Sequence, residues 1–417
     1  MTMSYLNVYV ENEYAGRLTQ DASGRRTFAY DASYAGSPVS LSMPLRNDAY
    51  RQRIVDSFLW GLLPDSEEVR NDMGRRWGVS GANPFALLEH MGLDCPGAVQ
   101  FAAPGGDAMT MPEHLVPVSR ADIATKLKAL RTRISRDWGS GREHWSLGGQ
   151  QSKFALRKQD DRWFICEGAA ATTHLLKPGI PDLRLQALNE FACLCVARVL
   201  QLDAAHVEYE EFEGEPAIVV ERYDRLIDAH GRVLRVHQED LCQALGIPPY
   251  KKYQSEGGPT AVDVISLFRR IGGADVGYNI TQFLLLLFFN YLMGAPDAHA
   301  KNYSVLLHDG EVLLAPAYDI ASGLMYGEDY RFAMSIGGEN RFGWVGRREL
   351  LKFAQQADVD SDACLLLMRD LGERIPDAMS DVFRAHRDIP GMDELRQALE
   401  PKVVALCELT LANLSYR

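Results

Sequence analysis

No Cys-x-x-Cys pair occurs in the 417 residues, and the seven cysteines are scattered and odd in number. That excludes a paired-cysteine zinc site and a closed disulfide framework, and it points to buried thiols in a reducing compartment. The opening Met1-Thr2-Met3-Ser4-Tyr5 has neither a basic segment nor a long apolar run. No secretory signal is expected there, and a cytoplasmic location follows as the expectation. The apolar run Phe283-Leu284-Leu285-Leu286-Leu287-Phe288-Phe289 falls far short of the roughly 20 residues needed to cross a bilayer, so no membrane partner is expected and the run reads as a buried helix. Basic charge is in deficit, with 44 Lys and Arg against 56 Asp and Glu and a formal charge of −12. A chain so acidic is not expected to be the principal DNA-binding component of a complex. The local cluster Arg131, Arg133, Arg136 and Arg142 reads as a solvated face. Internal repeats and low-complexity tracts are also absent, while a 47% apolar composition is enough for a large core.

What is present is a concentrated polar segment, Gly294-Ala295-Pro296-Asp297-Ala298-His299-Ala300-Lys301-Asn302, followed by Tyr318-Asp319-Ile320. An Asp five residues before an Asn, with a second Asp beyond a short hairpin, is how phosphotransferases hold a hydroxyl acceptor and Mg·ATP together. Asp297 has the chemistry to accept the acceptor's proton, and Asn302 and Asp319 supply the hard oxygen donors that Mg²⁺ prefers. His299 reads as shaping the loop, since Asp297 already fills the role of base. Between the two motifs, Tyr303 to His308 and Glu311 to Ala315 flank an Asp309-Gly310 turn. This is a β-hairpin pattern that would return Asp319 toward Asn302. The same pattern also fits Asp and Asn serving only as turn formers beside a hairpin.

Upstream features fall in the order of a nucleotide lobe. Phe154 to Arg157 and Trp163 to Cys166 read as a strand pair, and Thr173 to Lys177 as the next strand, ending in Lys177. Leu185, Leu188, Ala192, Cys195 and Val199 recur at intervals of three and four, an amphipathic helix that carries Glu190. A strand Lys followed by a helix Glu is the ion pair that fixes the α- and β-phosphates in kinases. A second strand pair, Val207 to Phe212 and Ala217 to Glu221, leads to the point where a kinase has its hinge, so the backbones of Glu221 and Tyr223 are expected to meet adenine. No G-x-G-x-x-G motif precedes the first strand. Gly148 and Gly149 stand there instead, free to turn backbone N–H groups toward a phosphate, with Lys153 adding a point charge.

Taken together, Ser146-x-x-Gly149-x-Gln151-x-Lys153, Thr173-His174-Leu175-Leu176-Lys177, Asn189-Glu190, Val220 to Arg225, Gln238-Glu239-Asp240-x-Cys242-Gln243, Asp297-x-His299-Ala300-Lys301-Asn302 and Tyr318-Asp319-Ile320 resemble the HipA family of serine/threonine kinase toxins. Ser40 to Leu45 and Leu62 to Ser66 resemble that family's amino-terminal subdomain. The resemblance implies an α+β, two-lobed, protein-kinase-like fold with an amino-terminal β-rich subdomain and a mainly helical carboxy-terminal lobe. It implies ATP and Mg²⁺ as cofactors. By position, Asp297 would be the base, with His299 and Lys301 in the supporting loop, and Asn302 and Asp319 the metal ligands. Gly148, Gly149, Gln151, Lys153, Lys177, Glu190, Glu221 and Tyr223 would bind ATP. Ser146 would be a self-inhibiting autophosphorylation site. The implied partners are a small helix-turn-helix, HipB-like antitoxin, DNA reached through that antitoxin, and a protein substrate such as an aminoacyl-tRNA synthetase. The chain departs from protein kinases in having Ile320-Ala321 after Asp319 and His299 two residues after the base. The catalytic loop alone therefore also fits a small-molecule kinase, and a catalytically inactive subunit of a repressor complex is a third alternative.

The expected organisation is a β-rich subdomain over residues 1–105, a nucleotide lobe with a preceding helix over 106–224, and a mainly helical lobe over 225–417. Strands are expected at Leu6 to Val10, Thr27 to Tyr30 and Val39 to Met43. Further expectations are a helix begun by Asp65 and Glu68, one opened by Ser119 and Asp122, a break near Pro104 to Asp107, and amphipathic helices over Arg348 to Ala354 and Val403 to Leu414.

Overall fold

The computed structural model describes residues 3–106, 108, 111–132, 145–149, 151–327 and 330–415. Arg133, Arg136 and Arg142 of the expected basic cluster, and Asp107 of the expected break, lie outside them. The chain forms two compact units. One comprises Met1–Pro178, Glu210–Tyr250 and Ser304–Val312, and the other Gly179–Tyr209, Lys251–Tyr303 and Leu313–Arg417.

In the first unit the amino-terminal chain forms a five-stranded antiparallel sheet in the order Tyr50–Arg51, Arg26–Tyr30, Glu13–Gln20, Ser4–Val10, Val99–Ala102. Leu6, Val8, Val10, Leu18 and Phe28 point from it into a core shared with the helix Gln52–Gly61, which contributes Val55, Phe58 and Leu59. This subdomain is more helical than expected, with three helices between its fourth and fifth strands. Two expectations need correction. The helix Glu67–Trp77 is capped by Ser66, whose side chain accepts from the Val69 N–H, rather than begun by Asp65. Val39 to Met43 is not a strand: Met43 N–H closes a turn on the Ser40 carbonyl at 2.8 Å. The turn is held because the Glu239 carboxyl lies 2.6 Å from both Ser40 Oγ and the Leu41 nitrogen.

The second sheet runs Val207–Phe212, Glu215–Glu221, His174–Lys177, Phe154–Gln159, Arg162–Gly168, Glu113–Val118, and so contains the strands expected of the nucleotide lobe plus one edge strand. The edge strand carries Pro117, a residue a central strand would not tolerate. The helix Arg120–Arg131 opens on the expected capping box, in which Ser119 and Asp122 satisfy each other's N–H groups.

An ionic network is buried in this unit. Asp94 lies 2.8 Å from Arg225, 3.4 Å from Arg222 and 3.6 Å from Arg235, and accepts from Thr172 Oγ1 at 2.7 Å. Asp224 pairs with Arg222 at 2.8 Å and Arg225 at 3.0 Å. Burial alone would push both carboxyls up, but the surrounding guanidinium groups hold Asp94 and Asp224 below the usual carboxylate range.

The second unit is helical. From Phe283 to Phe289 the helix Val276–Leu292 is apolar on every side, with Phe283, Leu287, Phe288 and Phe289 wholly buried, as a segment enclosed by other helices must be. Around it pack Ala261–Ile271, Arg347–Ala357, Ser361–Ala385 and Met392–Ser415. Among the described residues no helix is long and apolar enough to cross a membrane. Six of the seven cysteines are buried and the seventh half-buried, and burial pushes the Cys95, Cys193, Cys195 and Cys407 thiols up to about 12. Such thiols are inert at neutral pH.

Candidate active site

The helix Val276–Leu292 ends at Met293, and Gly294 turns the chain at φ +63°, a conformation that Gly adopts without strain. The loop that follows puts Asp297 in solvent, its carboxyl 58% exposed, while Ala298, His299, Ala300 and Lys301 are buried beneath it. Exposure and anchoring go together here. His299 Nε2 lies 3.6 Å from Asp297 Oδ1, and the His299 N–H donates to the Asp297 carbonyl at 2.9 Å. Asn302 Nδ2 donates to the same carbonyl at 2.7 Å. That bond commits the amide nitrogen of Asn302 to the loop and leaves its amide oxygen as the group able to meet a cation.

The expected hairpin is present as Ser304–His308 and Glu311–Leu314. Past it, the Ala317 N–H donates to the Asp203 carbonyl at 2.8 Å, and the Tyr318 hydroxyl donates to the Lys301 carbonyl at 3.0 Å. Tyr318 thereby ties the Asp319 segment to the residue before Asn302. Asp319 itself sits at φ +53°, a left-handed backbone that a non-glycine residue adopts at a cost of about 1–3 kcal/mol. Three residues on, Asp319's segment is fixed again: Asn189 on the helix Gln186–Val199 donates to the Ser322 carbonyl at 2.8 Å and accepts from the Ser322 N–H at 3.0 Å. Glu190, beside Asn189, is buried. The second unit therefore brings together Asp297, His299, Lys301, Asn302 and the Asp319 segment, with Glu190 on the helix that braces that segment. Among the described residues, no cluster of three or more His, Cys, Asp or Glu could hold a metal alone. The donor set of one amide oxygen and one carboxylate fits a cation that takes its other ligands from phosphate and water, as Mg²⁺ does.

The other predicted residues belong to the first unit. Lys177 ends its strand opposite Ile218 and is buried. Glu221, opposite His174, is exposed, and the half-buried Tyr223 donates its hydroxyl to Gln238 Oε1. In the loop expected to meet phosphate, Gly149 takes φ +100°, and a Cβ there would meet Lys153 Nζ at 2.8 Å. A lysine ammonium thus stands against a backbone turn that only glycine allows. Gly148 and Gln151 are half-buried in the same loop. Ser146 is fully buried: its N–H donates to the Asp94 carbonyl at 3.0 Å and its hydroxyl to the Leu62 carbonyl. The Asp65 N–H donates to Gly149 O at 3.0 Å, so the loop is laid along the amino-terminal subdomain. Sequence reasoning missed Tyr253, whose hydroxyl donates to Asp297 Oδ1. A tyrosine 44 residues before its partner carries no local signal of that contact.

A family profile described as the HipA-like C-terminal domain matches residues 145–379, and one described as the HipA N-terminal domain matches residues 6–102. The chain is 36% identical over 398 residues to Y4mE of Sinorhizobium fredii, covering 93% of this chain and 94% of that protein. It is 30% identical over 406 residues to the serine/threonine-protein kinase toxin HipA of Shewanella oneidensis, covering 93% and 91%. The solved structure of Shewanella oneidensis HipA, determined with HipB and its operator DNA, superposes with a TM-score of 0.85 at 26% identity over 98% of this chain and 97% of that one. With both of its profiles matched in order along the sequence and the kinase-like α+β fold beneath them, this chain belongs to the HipA family of serine/threonine-protein kinases.

Proposed function

We propose that the chain transfers the γ-phosphate of Mg·ATP to a serine or threonine hydroxyl of a protein, and that it does so as the toxin of a toxin–antitoxin pair. The observation that carries the transfer chemistry is Asp297, an exposed carboxylate on a loop locked by Asn302 and His299. In this reading Asp297 takes the acceptor's proton as the new P–O bond forms and the bond from the γ-phosphorus to ADP breaks. Asn302 and Asp319 would hold Mg²⁺, which would neutralise phosphate charge; Lys177, with Glu190, would serve the α- and β-phosphates; Gly148, Gly149, Gln151 and Lys153 would line the phosphate loop; and the backbones of Glu221 and Tyr223 would face adenine. His299 and Lys301 support the loop from below. These roles divide the sequence into an amino-terminal segment over 1–105, a nucleotide segment over 106–224 and a catalytic segment over 225–417.

The regulatory part of the proposal rests on the burial of Ser146. A phosphate there would place about two negative charges in a poorly solvated position facing the Leu62 carbonyl, so the loop could not keep this conformation and bind nucleotide. Self-phosphorylation of Ser146 is then inhibitory and requires prior release of the loop. The partner reading, a HipB-like helix-turn-helix antitoxin through which DNA is reached, is supported by the Shewanella complex and by the chain's own −12 charge. An aminoacyl-tRNA synthetase is the protein substrate that the family resemblance favours. The test is phosphate transfer from Mg·[γ-³²P]ATP by the full chain and by Asp297→Ala and Asp319→Ala. Both variants should remain soluble, unfold cooperatively and transfer nothing, and wild-type transfer by Asp297→Ala would overturn the assignment.

A further inference from the structure

Tyr253 lies in a segment that no motif marks, between two short 3₁₀ turns at Pro249–Lys251 and Gln254–Glu256. Its hydroxyl donates to Asp297 Oδ1, and its ring stands edge-on against the buried His299 imidazole, with centroids 4.8 Å apart and planes at 82°. The segment is rigidly held. Gln254 exchanges two hydrogen bonds with Ser335, Nε2 donating to Oγ at 2.9 Å and Oε1 accepting from the Ser335 N–H at 2.8 Å. The Glu256 and Gly258 N–H groups both donate to the Tyr253 carbonyl, at 3.0 and 2.9 Å. The turn is so close that a Cβ on Gly258 would lie 2.0 Å from the Lys251 carbonyl oxygen.

These contacts are unevenly shared between the two oxygens of Asp297. Among the described residues, both side-chain contacts of Asp297, from the Tyr253 hydroxyl and from His299 Nε2, fall on Oδ1. A tyrosine waiting to be displaced by substrate would need a yielding segment, and this one is pinned at its next residue and closed by a glycine turn. We propose that Tyr253 is a positioning residue: by holding Oδ1 from a fixed loop it sets the rotamer of Asp297 and leaves Oδ2 to receive the acceptor's proton. The inference rests on the reading of Asp297 as the base. It gives the HipA-type loop of this chain a support from outside the loop, in place of a carboxylate left to find its own rotamer in solvent. Misplacing a reacting group by about 1 Å costs on the order of 100-fold in rate, which sets the scale of the expected effect.

The experiment uses the full chain, Mg·[γ-³²P]ATP, and dephosphorylated casein as acceptor, with self-incorporation measured alongside. Tyr253→Phe deletes the hydroxyl and keeps the ring on His299. The expected result is a 10- to 100-fold fall in the transfer rate at saturating nucleotide and acceptor, with acceptor KM and Mg·ATP affinity within about twofold of wild type and an unchanged unfolding temperature. Transfer at the wild-type rate by Tyr253→Phe would overturn the inference. So would faster transfer with a lower acceptor KM, which would make the phenol a competitor, or phosphate recovered on Tyr253 itself. An active Asp297→Asn would instead overturn the assignment of the base, so the two failures read differently.

Discussion

Replacing Glu239 with Gln isolates one buried proton. Glu239 lies on the strand His237–Asp240, wholly shielded from water, and burial pushes its carboxyl up to about 8 against opposing bonds from Ser40 and the Leu41 N–H. The protonated form fits its surroundings: Glu239 can donate to Ser40 Oγ, which in turn lies 2.7 Å from Ser42 Oγ and can donate there. In the unfolded chain the group titrates near 4.5, so from about pH 4.5 to about 8 the native state holds a proton that the unfolded state has released. Stability from this group is therefore complete below the unfolded value and declines as pH rises through the window. One proton of difference is worth about 1.4 kcal/mol per pH unit, and the accumulated loss by pH 8 is on the order of 5 kcal/mol. Glutamine keeps the shape, accepts from Leu41, donates to Ser40 and never ionises. Urea unfolding of the two proteins at pH 5, 6, 7 and 8 should give stability curves that diverge by about 1 kcal/mol per unit, with Glu239→Gln the more stable at the alkaline end. Parallel curves would show that Glu239 is ionised in the native state and would refute the argument.

Four further outcomes follow from other contacts. Asp94→Ala leaves Arg222, Arg225 and Arg235 with one buried counterion fewer and should cost about 3–5 kcal/mol, read as a fall in the urea midpoint. Because Asp94 and Asp224 are held below the ordinary carboxylate range, their stabilisation is present above the unfolded value of 3.8 and lost as pH falls through the folded values. Glu239→Gln should accordingly keep the wild-type acid limb. Ser66→Ala removes the acceptor for the Val69 N–H and should cost about 1 kcal/mol by the same assay. Ser146→Glu places a charge at a fully buried position and should speed limited proteolysis between residues 145 and 153, while Ser146→Ala should lose phosphate incorporation at that site, followed by mass spectrometry.

What the sequence reveals depends on how local the cause is. The hairpin of Ser304–His308 and Glu311–Leu314, the strand ending in Lys177 and the Ser119–Asp122 cap are legible because turn residues, alternation and capping pairs act over a few positions. The strand Glu13–Gln20 was missed because it is mostly polar and carries Gly16, whose close approach to the Ala29 carbonyl is set by its neighbour strand. Val39 to Met43 reads as a strand by alternation, but Glu239, some 200 residues away, takes its backbone and hydroxyl donors for a turn. The 25-residue helix Ser361–Ala385 contains Pro376, a residue that argues against a helix interior until tertiary packing outweighs it. The site followed the same rule. Asp297, Asn302 and Asp319 are motif residues, whereas Tyr253 earns its place through a contact with no sequence period behind it.

The buried network around Asp94 bears on how this gene can be shortened. A fragment beginning after residue 105 would retain Arg222, Arg225 and Arg235 and discard the carboxylate all three approach, together with the Cys95 and Gly97 carbonyls that accept from Arg222 and Arg225. Arg222 and Arg225 would then share Asp224 alone, and Arg235 would lose its carboxylate. Expressed by itself, the catalytic portion would carry these cations on a face stripped of its partners, with the apolar surface that packs against the amino-terminal core uncovered beside them, so it should be recovered as aggregate. The amino-terminal subdomain is in this sense a counterion for the rest of the enzyme, and the stretch between the two family profiles is a poor place to cut.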